Sequence, residues 1–118
     1  MITGLGTDIV EISRIERIES ENNRLSKRIL TDIEAKYYLS LKSPARKIQY
    51  LAGRYAVKEA YSKALGTGIG AHISFKDICC INDAHGKPYL SNDPHALVSI
   101  SHTDSYAIAT VIIQEVEE

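Results

Sequence analysis

Gly53-Arg54-Tyr55-Ala56-Val57-Lys58-Glu59-Ala60-Tyr61-Ser62-Lys63-Ala64-Leu65-Gly66-Thr67-Gly68-Ile69-Gly70 is the stretch from which the rest of the chain is read. Small and apolar residues surround four charges, Arg54, Lys58, Glu59 and Lys63, and three glycines follow within seven residues of the last. The pattern is that of a largely buried helix running into a permissive loop. A charge taken out of water needs a partner or a task, so the helix is either a braced core element or the wall of a site.

Upstream, Ser43-Pro44 supplies a cap and a proline at the first helical position, which predicts a long helix from Pro44 to Leu65 with Gly66 as its terminator. Thr31-Asp32-Ile33-Glu34 has the spacing of a capping box and opens a shorter helix through Tyr37, Tyr38 and Leu41. Ser13-Arg14-Ile15-Glu16 has the same spacing and predicts a helix start near Arg14. If that helix ran on unbroken, Ile15, Ile18, Leu25 and Ile29 would share one face, and Arg14, Arg17, Arg24 and Arg28 would form a basic stripe beside it. Asn22-Asn23 is a point of interruption. The stripe is either a solvated surface or a docking face for an acidic protein.

Ile2 to Ile12, with Gly4 and Gly6 among its apolar residues, suits an opening strand closely approached by other backbone. Asp8 lies inside it, as a solvent-facing carboxylate or as a metal ligand. Beyond Gly70 the pattern changes to short strands over Ile73 to Ile81, Tyr89-Leu90, Leu97 to Ser101 and Tyr106 to Ile113. Asp83-Ala84-His85-Gly86-Lys87-Pro88 predicts a hairpin and His102-Thr103-Asp104-Ser105 a tight reversal. The last strand is too apolar to have a wet face, so it is either central in its sheet or covered by a partner subunit. Glu115 to Glu118 reads as a solvated tail. The expected class is α+β: an N-terminal strand, helices including one long central helix, then a small antiparallel sheet.

A chain of 118 residues without repeats or linkers is expected to form one domain over 1–118. A net charge of −1 excludes a surface built as a whole to neutralise nucleic-acid phosphates. No stretch approaches the roughly 20 apolar residues of a membrane span, and Met1-Ile2-Thr3-Gly4 lacks the basic, then apolar, pattern of a signal peptide. Cys79 and Cys80 are adjacent, which excludes a disulfide framework and points to a reducing, cytoplasmic setting.

Glu59 and Lys63 are four apart in the favourable order for a helical ion pair, or Glu59 faces a cation instead. Two carboxylates, such as Asp8 and Glu59, with waters and phosphates are the usual shell of Mg²⁺. Arg54, Lys58 and Lys63 with Gly66, Gly68 and Gly70 can make a phosphate site, although the dipole at a helix C-terminus opposes an anion and leaves the attraction to side chains. No Walker spacing is present. Ser101-His102 lacks an orienting acid, so His102 is a phosphate contact or a turn residue. His72, His85 and His95 have no zinc-ligand spacing.

Three blocks, Gly6-Thr7-Asp8-Ile9-Val10-Glu11-Ile12-Ser13-Arg14-Ile15, Lys58-Glu59-Ala60-Tyr61-Ser62-Lys63-Ala64-Leu65-Gly66-Thr67-Gly68 and Ser99-Ile100-Ser101-His102-Thr103, with Gly86-Lys87-Pro88 between the last two, together resemble the holo-acyl-carrier-protein synthase family of small phosphopantetheinyl transferases. Order, spacing and length all correspond. The resemblance implies that Asp8 and Glu59 hold Mg²⁺ against the pyrophosphate of coenzyme A. It makes Lys63 a neutraliser of phosphate charge. Glu59, directly or through a metal-bound water, would accept the proton of a carrier-protein serine. Arg54, Lys58, Gly66, Thr67, Gly68, Lys87, Pro88, His102 and Thr103 become candidates for gripping the 3′,5′-ADP portion. Apo acyl carrier protein, which is acidic, becomes the partner of Arg14, Arg17, Arg24 and Arg28. The family further implies a homotrimer with sites at subunit interfaces. Tyr55 stands where the family often has phenylalanine, a change not expected to matter. The competing interpretation is a non-catalytic module that binds an acidic partner through the arginines and uses the glycine loop structurally.

Overall fold

The computed structural model describes residues 1–116. In chain order the elements are β1 (Ile2–Glu11), α1 (Ile12–Glu19), α2 (Arg24–Ile29), α3 (Asp32–Ser40), α4 (Pro44–Leu65), a 3₁₀ turn (Phe75–Asp77), β2 (Cys80–Asn82), β3 (Pro88–Leu90), β4 (Leu97–His102) and β5 (Tyr106–Gln114). This is the expected α+β arrangement.

The long helix α4 is the axis of the molecule. Its start is fixed by the Ser43 hydroxyl, which accepts the Arg46 amide at 3.3 Å, with Pro44 inside the first turn. Its end is fixed by Gly66 at φ +82°, in the left-handed region that glycine enters freely. Three strands cover one side of it in the order β1-β5-β4, all antiparallel, while β2 and β3 form a separate hairpin. Gly4 and Gly6 are what bring β1 against α4. A Cβ on Gly4 would meet the Ala64 carbonyl oxygen, and one on Gly6 the Ala60 carbonyl oxygen. In β5, Ala107, Ala109 and Val111 are fully buried against the helix, whereas Tyr106 and Ile108 on the other face are more than 40% exposed. The apolar last strand is therefore the central one, and small residues on its inner face admit the helix.

α3 begins with the capping box in full: Glu34 N–H donates to Thr31 Oγ1 at 3.4 Å, and Thr31 N–H to Glu34 Oε1 at 2.8 Å. Around Ser13 the expectation fails. β1 passes directly into α1 at Ile12, the cap position is Glu11, and no side chain caps it. Nor does one helix run on to Ile29. Asn22 and Asn23, at φ +59° and +55°, turn the chain between α1 and α2, so the arginine stripe is folded at an elbow. Of the expected strand over Ile73 to Ile81 only Cys80 and Ile81 are extended in β2; its middle is the 3₁₀ turn Phe75–Asp77. Asp77 Oδ2 accepts both the amide and the hydroxyl of Ser74, at 2.8 and 2.9 Å, and this local closure outcompetes sheet pairing. Glu115 is no loose tail, because its amide donates to the Met1 carbonyl at 2.9 Å. Glu117 and Glu118 of the expected tail lie outside the described residues.

Candidate active site

Asp8 follows Gly6 on the same inner face of β1, so the close approach licensed by glycine carries its carboxylate to the last turns of α4. There Lys63 Nζ donates to Asp8 Oδ1 at 2.9 Å and to the Thr7 carbonyl at 3.1 Å. The helical pair between Glu59 and Lys63 is not formed; the lysine crosses to the strand. The Asp8 side chain is 14% exposed, which replaces a solvent-facing carboxylate with one set against the helix.

Glu59 is half-buried beside this pair. Burial pushes its carboxyl above the ordinary value and the Asp8 carboxylate adds to the rise, while Lys63 and the Tyr55 hydroxyl oppose it. Lys63 is thus committed to Asp8, and Glu59 stands beside that pair without a direct ion pair among the described residues. Among the described residues no three of His, Cys, Asp and Glu converge, so the chain offers no complete cage for a metal. Two oxygen-bearing carboxylates open to water and phosphate fit Mg²⁺, a hard cation that rarely takes an all-protein shell.

Glu59 opens into a cavity of about 360 Å³ whose other walls include Arg14, Arg24, Arg28, Tyr55 and Phe75. The elbow between α1 and α2 thus wraps three of the four predicted arginines around the carboxylate. Arg17 is exposed and lies outside this lining.

A second cavity, of about 480 Å³, is lined by Arg54, Pro88 and His102 among the predicted residues, and by Arg46, Gln49 and Asn82, which the sequence reading passed over. Arg54 is held rigidly there. Its Nε donates to the Cys80 carbonyl at 3.2 Å, its terminal nitrogen to Asn82 Oδ1 at 2.9 Å, and its guanidinium lies 4.4 Å from the Tyr50 ring centre. A signal for Arg46 and Gln49 was present, since stepping back from Arg54 and Gly53 by helical turns leads to both. The two cavities share no lining residue. Arg54 and Glu59 point about 140° apart around α4, given the 3.6-residue turn.

Two expected contributions are corrected by the geometry. Lys58 is not available to a cofactor: it is fully buried, and its Nζ donates to the Ile29 carbonyl at 2.6 Å, Glu34 Oε1 at 2.6 Å and the Phe75 carbonyl at 3.1 Å. Glu34, equally buried, also accepts the Cys80 amide at 2.8 Å; its strong capping-box pattern hid this second task. The glycine loop is not a free amide cradle. The amides of Gly66, Thr67 and Gly68 all turn back to carbonyls at the end of α4, and that of Gly70 donates to Ile73 at 2.9 Å. The loop can still meet a ligand through the exposed Thr67 hydroxyl and the space glycine leaves open. Thr103 Oγ1 is occupied with the amides of Ser105 and Tyr106, at 3.2 and 3.1 Å, and forms the predicted reversal. Lys87 is exposed in the β2–β3 turn, where Asp83 Oδ1 accepts its amide at 2.9 Å. Both cysteines are free, and burial pushes the Cys80 thiol up to about 11.

A family model described as the 4′-phosphopantetheinyl transferase superfamily matches residues 4–111. A holo-[acyl-carrier-protein] synthase of Geobacillus sp. (strain WCH70) is 51% identical over 117 residues, covering 97% of this chain and 98% of that protein. Among solved structures, a holo-(acyl-carrier-protein) synthase from Bacillus anthracis in complex with CoA (3′,5′-ADP) superposes with a TM-score of 0.86 at 45% identity, over 95% of this chain and 96% of that one. The Helicobacter pylori holo-[acyl-carrier-protein] synthase in complex with coenzyme A gives 0.80 at 33% identity, over 93% and 99%.

Proposed function

Since the chain belongs to the 4′-phosphopantetheinyl transferase superfamily, we propose that it moves 4′-phosphopantetheine from coenzyme A to a serine of apo acyl carrier protein, giving holo carrier protein and 3′,5′-ADP. Residues 1–118 act as one transferase domain. The observation that carries this is the Asp8–Lys63 pair set beside Glu59, whose carboxylate in turn lines an arginine-rich cavity. A non-catalytic module would need an arginine face independent of Glu59; Arg14, Arg24 and Arg28 instead surround it.

The nucleophile belongs to the partner. Glu59, with its carboxyl raised toward neutrality, is suited to accept the serine proton, directly or through a water. Lys63, drawn onto Asp8, holds a fixed positive charge where the β-phosphate of coenzyme A gathers charge as the bond to the 3′,5′-ADP oxygen breaks. Asp8 and Glu59 would hold Mg²⁺, which when bound supplies charge neutralisation on the pyrophosphate. Arg46, Arg54 and His102 offer cationic and hydrogen-bonding contacts for 3′,5′-ADP, and the arginines around Glu59 suit an acidic carrier.

The nucleotide cavity and Glu59 face away from each other on one chain, so the site is assembled from two copies. The outer sheet face supports this, with Leu5, Ile9, Leu97, Tyr106 and Ile108 all more than 40% exposed and forming one apolar surface fit for burial between subunits. A homotrimer with sites at its interfaces follows from the same family likeness. The free thiols suit the cytoplasm, and no helix among the described residues is long and apolar enough to cross a membrane.

The test is incubation with coenzyme A, Mg²⁺ and apo carrier protein, followed by intact-mass measurement of the carrier. Gain of one phosphopantetheinyl group, lost on omission of metal and in Glu59→Gln, is expected. An unmodified but competent carrier in the presence of folded protein would sink the proposal.

A further inference from the structure

α2 has six residues, too few to hold a helical form alone, yet it carries Arg24 and Arg28 to the Glu59 cavity. It follows Asn22 and Asn23, two side-chain-bearing residues in the left-handed region, which costs energy that other contacts must offset. Two buried charges hold the elbow. At the start of α2, Glu19 is only 6% exposed; its Oε1 accepts the Ser26 amide at 2.8 Å and its Oε2 accepts the Tyr38 hydroxyl at 2.8 Å. At the end, Lys58 Nζ donates to the Ile29 carbonyl at 2.6 Å. An anion on the amide end and a cation on the carbonyl end satisfy the free backbone groups and complement the helix dipole.

Glu19 makes no ion pair among the described residues, so its charge is met by those two hydrogen bonds alone. A buried carboxylate is a poor means of adding bulk stability and a good means of specifying one geometry. The geometry specified is the placement of the arginines. Arg24 rests against Glu21 at 3.0 Å in an exposed pair, a contact weak enough to exchange for a carboxylate of a partner.

We infer that Glu19 and Lys58 are positioning residues for recognition of the acidic carrier protein, clamping α2 at both ends so that Arg24 and Arg28 meet the partner while its serine reaches Glu59. This rests on the transferase activity proposed above. It also gives Lys58 a role in place of the cofactor contact expected from the sequence.

The experiment uses the full chain with Glu19→Ala, and measures carrier binding in the presence of 3′,5′-ADP as well as turnover. The KM for carrier should rise about tenfold and its affinity fall by the same factor, with the KM for coenzyme A and kcat held within about twofold, because loss of both Glu19 hydrogen bonds loosens the placement of the arginines without removing them. Glu19→Gln, able to accept from Ser26 and donate to the Tyr38 oxygen, should restore most of the affinity. Tyr38→Phe removes only the hydroxyl and should move carrier affinity in the same direction by less, which keeps the test open if Glu19→Ala does not fold. Unchanged carrier affinity in folded Glu19→Ala, or equal rises in both KM values, overturns the inference. If the unaltered protein binds carrier but transfers nothing, the transferase proposal fails while the carrier-affinity arm still decides the clamp.

Discussion

Half-burial beside Asp8 raises the Glu59 carboxyl above its ordinary range, so the folded protein holds a proton there more tightly than the unfolded chain does. The stability this proton confers is fully present below the ordinary carboxylate value and is lost as pH rises through the raised folded value. Glu59→Gln should therefore melt higher than the unaltered metal-free protein at neutral pH, with the gap closing as the solution is acidified. Thermal melts across that window check the sign. The same substitution should lower transfer by about 10²–10⁴-fold, the usual range for loss of a positioned acid or base. Lys58 is opposite in character. Burial pushes its ammonium down while Glu34 resists, and the pair is closed to water on both sides. Lys58→Met leaves the Glu34 carboxylate buried without its cation and should cost about 3–5 kcal/mol in denaturant unfolding. Adding Glu34→Gln should recover part of that loss, because the stranded charge is removed.

At the level of elements, the junction of β1 with α4 carries the greatest consequence. The two pack backbone to backbone through Gly4 and Gly6, and this contact sets Asp8 against Lys63. Gly6→Ala meets the Ala60 carbonyl, rigid backbone rather than a movable side chain, and should cost about 1–3 kcal/mol or more as an overpacked contact. Activity should fall further than stability predicts, since the strand must move and takes Asp8 with it; kcat measured beside the unfolding curve separates the two effects. At the elbow, Asn23→Gly should be nearly neutral, because glycine's freedom in the left-handed region is offset by the extra conformational freedom it gives the unfolded chain. Loss of stability there would mean that the Asn23 side chain contributes more than its backbone shape.

For the whole molecule, the separation of the two cavities predicts that copies complement one another. Protein mixed from Glu59→Gln and Arg46→Ala copies should regain transfer that neither variant has alone, because some interfaces then combine an intact half from each. Ile108→Glu, which places a charge on the exposed apolar sheet face, should yield a folded, dissociated and inactive chain by sedimentation and activity measurement. What the amino-acid order determined by itself was local: the limits of α4 from Ser43-Pro44 and Gly66, the capping box at Thr31, the hairpin at Asp83 to Pro88, and the glycines that let β1 lie close. Those features depend on groups a few residues apart, so spacing alone reveals them. Asp8 could be joined to Glu59 only through family likeness, since 50 positions of intervening chain carry no local trace of their meeting. Whether Lys58 served phosphate or core, whether the glycine amides were free, and where Arg24 and Arg28 pointed were decided only by tertiary structure. Each turns on which group lies within hydrogen-bonding distance once the chain is folded: Glu34 and Ile29 for the lysine, the nearby Ser62 and Ile73 carbonyls for the glycine loop, the Glu19 carboxylate for the elbow. The energy of a buried charge is set by those neighbours, not by the helix that carries it.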